Sequence, residues 1–154
     1  MKRLFVVLVF LLWFAAPVSA DFEAGMTAYD QGDYATALGE LKPLAENGSA
    51  RAQVTLGVMH SNGQGVPQDF KEALRWFRLA ADQGNADAQF YLGAVYADGK
   101  ELPQNYVRAY MWLSLAAAQG HKNASHARDL AAGQMSQSQL EEAQRLAREW
   151  KSKK

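Results

Sequence analysis

Cysteine is absent from this chain. Without a thiol there is no disulfide framework, no thiolate metal site or iron–sulfur cluster, no cysteine nucleophile and no lipidated cysteine to tether an N-terminus. Proline is scarce at 4 of 154 residues, and a surplus of charge is missing too, because 16 Lys plus Arg face 16 Asp plus Glu. A balanced surface cannot supply the cationic field that displaces counterions from phosphates, so no nucleic-acid partner is expected. Segments of strictly alternating polar and apolar residues are lacking as well, which leaves no signal for a half-buried strand. Apolar residues are plentiful, at 49% of the chain. That content is enough for one folded domain and too high for a disordered one.

Long hydrophobic runs are missing except at the start. Lys2 and Arg3 precede an uncharged apolar run from Leu4 to Ala16, followed by Pro17 and the small-residue segment Val18-Ser19-Ala20. A hydrocarbon core needs roughly 20 helical residues to cross it, and this run is 13 residues long. The three-part pattern predicts a secretory signal peptide over residues 1–20, cut after Ala20. The mature chain would then be periplasmic or secreted, with no membrane span and two more acids than bases.

The remainder is periodic. Asn47-Gly48, Gln83-Gly84 and Gln119-Gly120 recur every 36 residues, as do Tyr34, Phe70 and Tyr106, and Ala37, Ala73 and Ala109. Trp76 aligns with Trp112, and Pro67 with Pro103. A fixed period of this length marks a stack of supersecondary units.

Each unit reads as two helices. Asp33, Asp69 and Asn105 stand one residue before the aromatic position, where a short polar side chain can accept from the free N–H groups of a first turn. Glu72, three residues after Asp69, predicts a reciprocal capping box. Gly48, Gly84 and Gly120 supply the left-handed residue past a helix end. The second helices are thus expected over 34–47, 70–83 and 106–119, and the first over 22–30, 50–62 and 86–98. Gly57 and Gly93 allow the paired helices to approach closely. The loops Gly63-Gln64-Gly65-Val66-Pro67 and Gly99-Lys100-Glu101-Leu102-Pro103 turn the chain, and the first unit lacks such a segment. Gly63-Gln64-Gly65 follows a helix and has no third glycine, so it is a turn and not a dinucleotide fingerprint. Beyond Gly120 the period fades. Asn123 to Ala132 fits a partial fourth unit, and Ser136 with Gln139 predicts a capping box opening a last helix whose stripe is Leu140, Ala143, Leu146 and Trp150. Glu141 and Arg145 are spaced to pair on its wet face.

Leu56-Gly57 and Leu92-Gly93, the loop Gly63 to Asp69, Ala73-x-x-Trp76 and Ala109-x-x-Trp112, and Ala80 to Gly84 with Ala116 to Gly120 resemble the Sel-one-like repeat, a relative of the tetratricopeptide repeat. The resemblance covers about residues 22–133. It implies an all-α, right-handed α-solenoid with a tetratricopeptide-like unit over 21–48, Sel-one-like units over 49–84 and 85–120, and a partial repeat with a capping helix over 121–154. It also implies an exported bacterial protein acting as a scaffold or regulator in the cell envelope. An alternative is a cell-wall or β-lactam-directed hydrolase on the same repeats. A host-directed secreted factor would share the chemistry. The cysteine-paired subgroup linked to penicillin is set apart by its cysteines.

Chemistry-bearing residues give little. His60, His121 and His126 lack metal-ligand spacing, and Ser61, Ser114, Ser125 and Ser136 have neither a lysine three residues on nor a nucleophile elbow. No catalysis, cofactor or metal is expected. Trp76 and Trp112 share a register beside alanines and read as repeat core. Asn47-Gly48-Ser49 and Asn123-Ala124-Ser125 fit glycosylation sequons but sit at helix junctions that favour the same residues. Lys151, Lys153 and Lys154 read as a solvated basic end. In related repeats the first helices line a concave groove. By register that groove would present Phe22, Met26, Tyr29 and Asp30, then Arg51, Val54, Val58, Ser61 and Asn62, then Asp87, Phe90, Ala94 and Asp98. Such a mixture suits a peptide or helix of another protein.

Overall fold

A computed structural model describes residues 20–153, so the expected signal peptide lies outside the described residues. The described residues form eight α-helices: α1 (Phe22–Asp30), α2 (Tyr34–Glu46), α3 (Ala50–Asn62), α4 (Phe70–Asp82), α5 (Ala86–Asp98), α6 (Tyr106–Ala118), α7 (Ala124–Ala132) and α8 (Gln137–Glu149). There is no strand among them.

The ends of these helices follow from short polar side chains. Asp33, Asp69 and Asn105 accept from the backbone N–H of Thr36, Glu72 and Arg108. Ser49 and Asn85 do the same for α3 and α5. Each such bond satisfies a donor that the helix itself leaves orphaned. The second helices stop one residue earlier than the spacing predicts, because Asn47, Gln83 and Gln119 already turn their N–H groups back onto the preceding turn. Gly48, Gly84 and Gly120 then take φ of 96°, 97° and 84°.

Two expected side-chain pairings are replaced. At α4 the capping box is half formed: Asp69 accepts from Glu72 N–H, but the Glu72 carboxylate turns to Arg75 at 2.6 Å. A charged partner outcompetes the Asp69 N–H, which donates to the His60 carbonyl instead. The same hydrogen bond holds the Glu72 carboxyl below the ordinary glutamate range. On α8, Arg145 pairs with Glu142 and Glu149 rather than Glu141, which accepts from Gln137. The capping box of Ser136 and Gln139 forms as predicted.

Consecutive helices pack against one another from α1 to α7, and α8 returns onto α6. Within each pair a glycine sets the distance. A Cβ on Gly25, Gly57 or Gly93 would sit 2.7, 2.6 or 2.5 Å from Leu41, Phe77 or Leu113. Two apolar clusters result, one built on Leu41, Leu56, Met59 and Trp76, the other on Phe77, Leu92, Trp112 and Leu113. Trp76 and Trp112 are 4% and 9% exposed, as repeat-core residues should be.

The chain end departs from a free tail. Trp150 leaves α8 in an extended conformation and meets Trp112 edge-on, ring centroids 6.2 Å apart. Lys153 donates its backbone N–H to the Asp82 carbonyl at 2.6 Å and its Nζ to the Asp82 carboxylate at 2.9 Å. The basic end expected to be merely solvated is therefore strapped, in part, to α4.

Candidate binding face on the first helices

The residues assigned to a groove by register fall on α1, α3 and α5. Asp30, Arg51, Asn62, Asp87 and Asp98 are exposed, and Phe22, Met26, Tyr29, Val54, Val58, Ser61, Phe90 and Ala94 are half-buried. The apolar members are shared between solvent and the core, because Val54, Val58 and Phe90 pack against one cluster and Phe22, Met26 and Tyr29 against the other.

Several already have partners in the chain. The Arg51 guanidinium lies 4.0 Å above the Phe22 ring, and Thr55 reaches the Met26 sulfur at 3.5 Å. Tyr29 meets Tyr34 edge-on and donates to Gln64 Oε1 at 3.0 Å, while Gln64 Nε2 donates to the Tyr34 hydroxyl at 3.0 Å. The first glycine loop thus reaches back to the preceding unit. Burial pushes the Tyr29 phenol above its ordinary range, and the Tyr34 and Tyr91 phenols lie within electrostatic reach and add to that shift. Phe90 stacks on His121 at 4.3 Å, and His121 Nε2 stands 3.5 Å from Asp87. His121 is thus a packing residue that caps the face.

Two members missed by the register argument are the most available. Tyr91, 39% exposed, stacks by one side on Phe77 at 4.7 Å. Leu130 on α7 is 61% exposed. It borders a cleft of about 510 Å³ between α5 and α7 that Ala94 and Asp98 also line. Tyr91 was legible as the 36-residue counterpart of Thr55, whereas Leu130 lies beyond the clear period. Among the described residues no group of three or more His, Asp or Glu is placed to hold a metal ion.

Paired helices stacked in series define a helical-repeat solenoid. The Sel1 repeat model matches two of the units, residues 50–85 and 86–121. Among solved structures, a protective antigen present in uropathogenic Escherichia coli strains and displaying an SLR fold is similar over 82% of this chain, at 27% identity and a TM-score of 0.76. A Sel1 repeat protein from Oxalobacter formigenes is similar over 85% of this chain, at 28% identity and a TM-score of 0.69. The chain spans 28% and 56% of the length of those two proteins. No curated protein matches it. Sel1 repeat proteins are generally protein-interaction scaffolds, and their fold is typically non-catalytic.

Proposed function

We propose that this is an exported, non-catalytic scaffold or regulator of the cell envelope that holds a peptide or helix of another protein along the face of α1, α3, α5 and α7. The observation that carries the reading is the exposure of Tyr91 and Leu130 on that face, beside the half-buried Tyr29, Val58 and Phe90. Large apolar side chains left in water at the centre of a mixed polar surface are the usual anchors of an interface. Export is supported by the leader pattern of residues 1–20.

Cross-linking capture from envelope extract tests it. Loss of an anchor typically costs about 2 kcal/mol, so Tyr91→Ala and Leu130→Ala should weaken capture roughly thirtyfold. Both should shift the melting temperature far less than Trp112→Ala. Undiminished capture by both variants would move the binding surface elsewhere, and an intact Met1 in the envelope form would remove the signal peptide from the reading.

A further inference from the structure

A second surface, on the α2 and α4 side, carries an inference independent of the first-helix face. The strapped chain end lies in a groove between two successive units: Trp150 rests against Trp112 and over Gly84, where an added Cβ would stand 3.7 Å from its ring, and Lys153 binds Asp82. Moving back by one 36-residue period turns Trp112, Gly84 and Asp82 into Trp76, Gly48 and Glu46. Those three line a groove of about 580 Å³, with Gln53 and Gln83 in the places of Gln89 and Gln119. Among the described residues none fills it in the way that Trp150 fills its counterpart. A Cβ on Gly48 would meet nothing within 4 Å, although Lys153 of the strap and its partner Asp82 also line the groove.

The open groove has the polar features of a peptide site. Trp76 is 4% exposed, and its indole Nε1 is buried with no hydrogen-bond partner among the described residues. That nitrogen has almost no accessible surface, so Trp76 contributes apolar wall to the groove and no donor that a ligand could reach. Glu46 occupies the position of Asp82, and among the described residues its one ion pair is a loose one, 4.0 Å from Lys42 on its own helix. Arg75 lines the same groove, bonded to Glu72 with its guanidinium 3.9 Å over Trp76, and lies within electrostatic reach of Glu46.

We propose that this groove binds an extended segment of a partner protein that carries an aromatic residue followed three positions later by Lys or Arg. That is the pattern which Trp150 and Lys153 present to the neighbouring groove. The aromatic ring lies over Gly48 beside Trp76, and the cation reaches Glu46. The chain's own end is held in its groove intramolecularly at high effective concentration, which favours a foreign segment here over the tail of a second copy.

The test titrates the purified protein with the synthetic peptide Arg-Glu-Trp-Lys-Ser-Lys-Lys and follows the indole N–H resonances, assigned by Trp→Phe replacement. The Trp76 resonance should move while those of Trp112 and Trp150 stay. Replacing the peptide tryptophan by alanine, or Glu46→Lys in the protein, should weaken binding by about tenfold or more, since each removes one of few anchors. Glu46 is exposed, so Glu46→Lys should melt like the parent. Three outcomes overturn the proposal: no movement of the Trp76 resonance at millimolar peptide, movement of Trp112 and Trp150 by displacement of the strap, or equal affinity for the Glu46→Lys variant.

Discussion

Gln53 and Gln89 are the two buried polar side chains of the core, 3% and 0% exposed. Each is satisfied on both sides. Gln53 Nε2 donates to the Ala45 carbonyl at 3.0 Å and its Oε1 accepts from Gln83 at 2.8 Å; Gln89 repeats this one period later with Ala81 and Gln119. The amide therefore ties the end of one unit to the start of the next, at a carbonyl that the helix cannot itself satisfy. Gln89→Leu keeps volume and removes both bonds, while the Ala81 carbonyl keeps the Gly84 N–H at 2.9 Å. The loss should be about 0.5–1.5 kcal/mol, read as a fall in the urea midpoint with unchanged slope. Gln119→Leu removes only the exposed end and should cost much less; equal losses would mean that the buried carbonyl is not what matters. The 36-residue recurrence of these glutamines is plain in the sequence, but their burial is not. A polar residue ahead of Leu-Gly looks the same whether it faces solvent or a carbonyl, and only the packed structure places Ala45 and Ala81 opposite them. The Glu72 substitution of partners was hidden for the same reason: spacing offers Glu72 both Asp69 N–H and Arg75, and charge decides.

Helix limits from α2 to α6 were legible almost to the residue, because a capping side chain opens each helix and a left-handed glycine follows its end within two residues. Glycines inside the helices divide into two kinds that sequence alone only half separates. Gly93 recurs with Gly57 and lies against Leu113, with a would-be Cβ 2.5 Å from Leu113 Cγ. Gly39 sits in α2 with nothing within 4 Å of its would-be Cβ. Alanine is the better helix former by roughly 0.5–1 kcal/mol, so Gly39→Ala should raise stability by about that much. At Gly93 the same gain is overwhelmed, because Leu113 is wholly buried and cannot move aside. Gly93→Ala should therefore lower stability by about 1–3 kcal/mol. Thermal melts of the two variants should move in opposite directions, and a Gly93→Ala protein that melts higher would show that α5 and α6 can separate without loss. What sequence could not supply was the fate of α8 and the chain end. Trp150 falls on the helical stripe of α8 by spacing, yet the helix ends at Glu149, and the indole is used against Trp112 instead.

Packing between neighbours in series makes the whole molecule a chain of local interfaces, and such an array has no reason to be equally stable along its length. The candidate face inherits that unevenness. Its α1 end rests mainly on α2, whereas its α5 end is backed by α4, α6 and α7. The exception to local connectivity is the strap from Trp150 to Lys153, which joins α4 to residues 71 positions later through the Lys153–Asp82 pair. An exposed ion pair of this kind adds little by itself, so the strap's worth lies mostly in the apolar area that Trp150 covers on Trp112. Removing a half-buried side chain of that size should cost about 1.5–3 kcal/mol. The loss should be local to the units it touches. In native-state hydrogen exchange, Trp150→Ala should lower protection at the end of α4 and along α6 and α8, while α1 and α2 keep the lower protection they already have. A uniform loss over all helices would show instead that the array unfolds as one unit and that the strap stabilises the first-helix face as a whole.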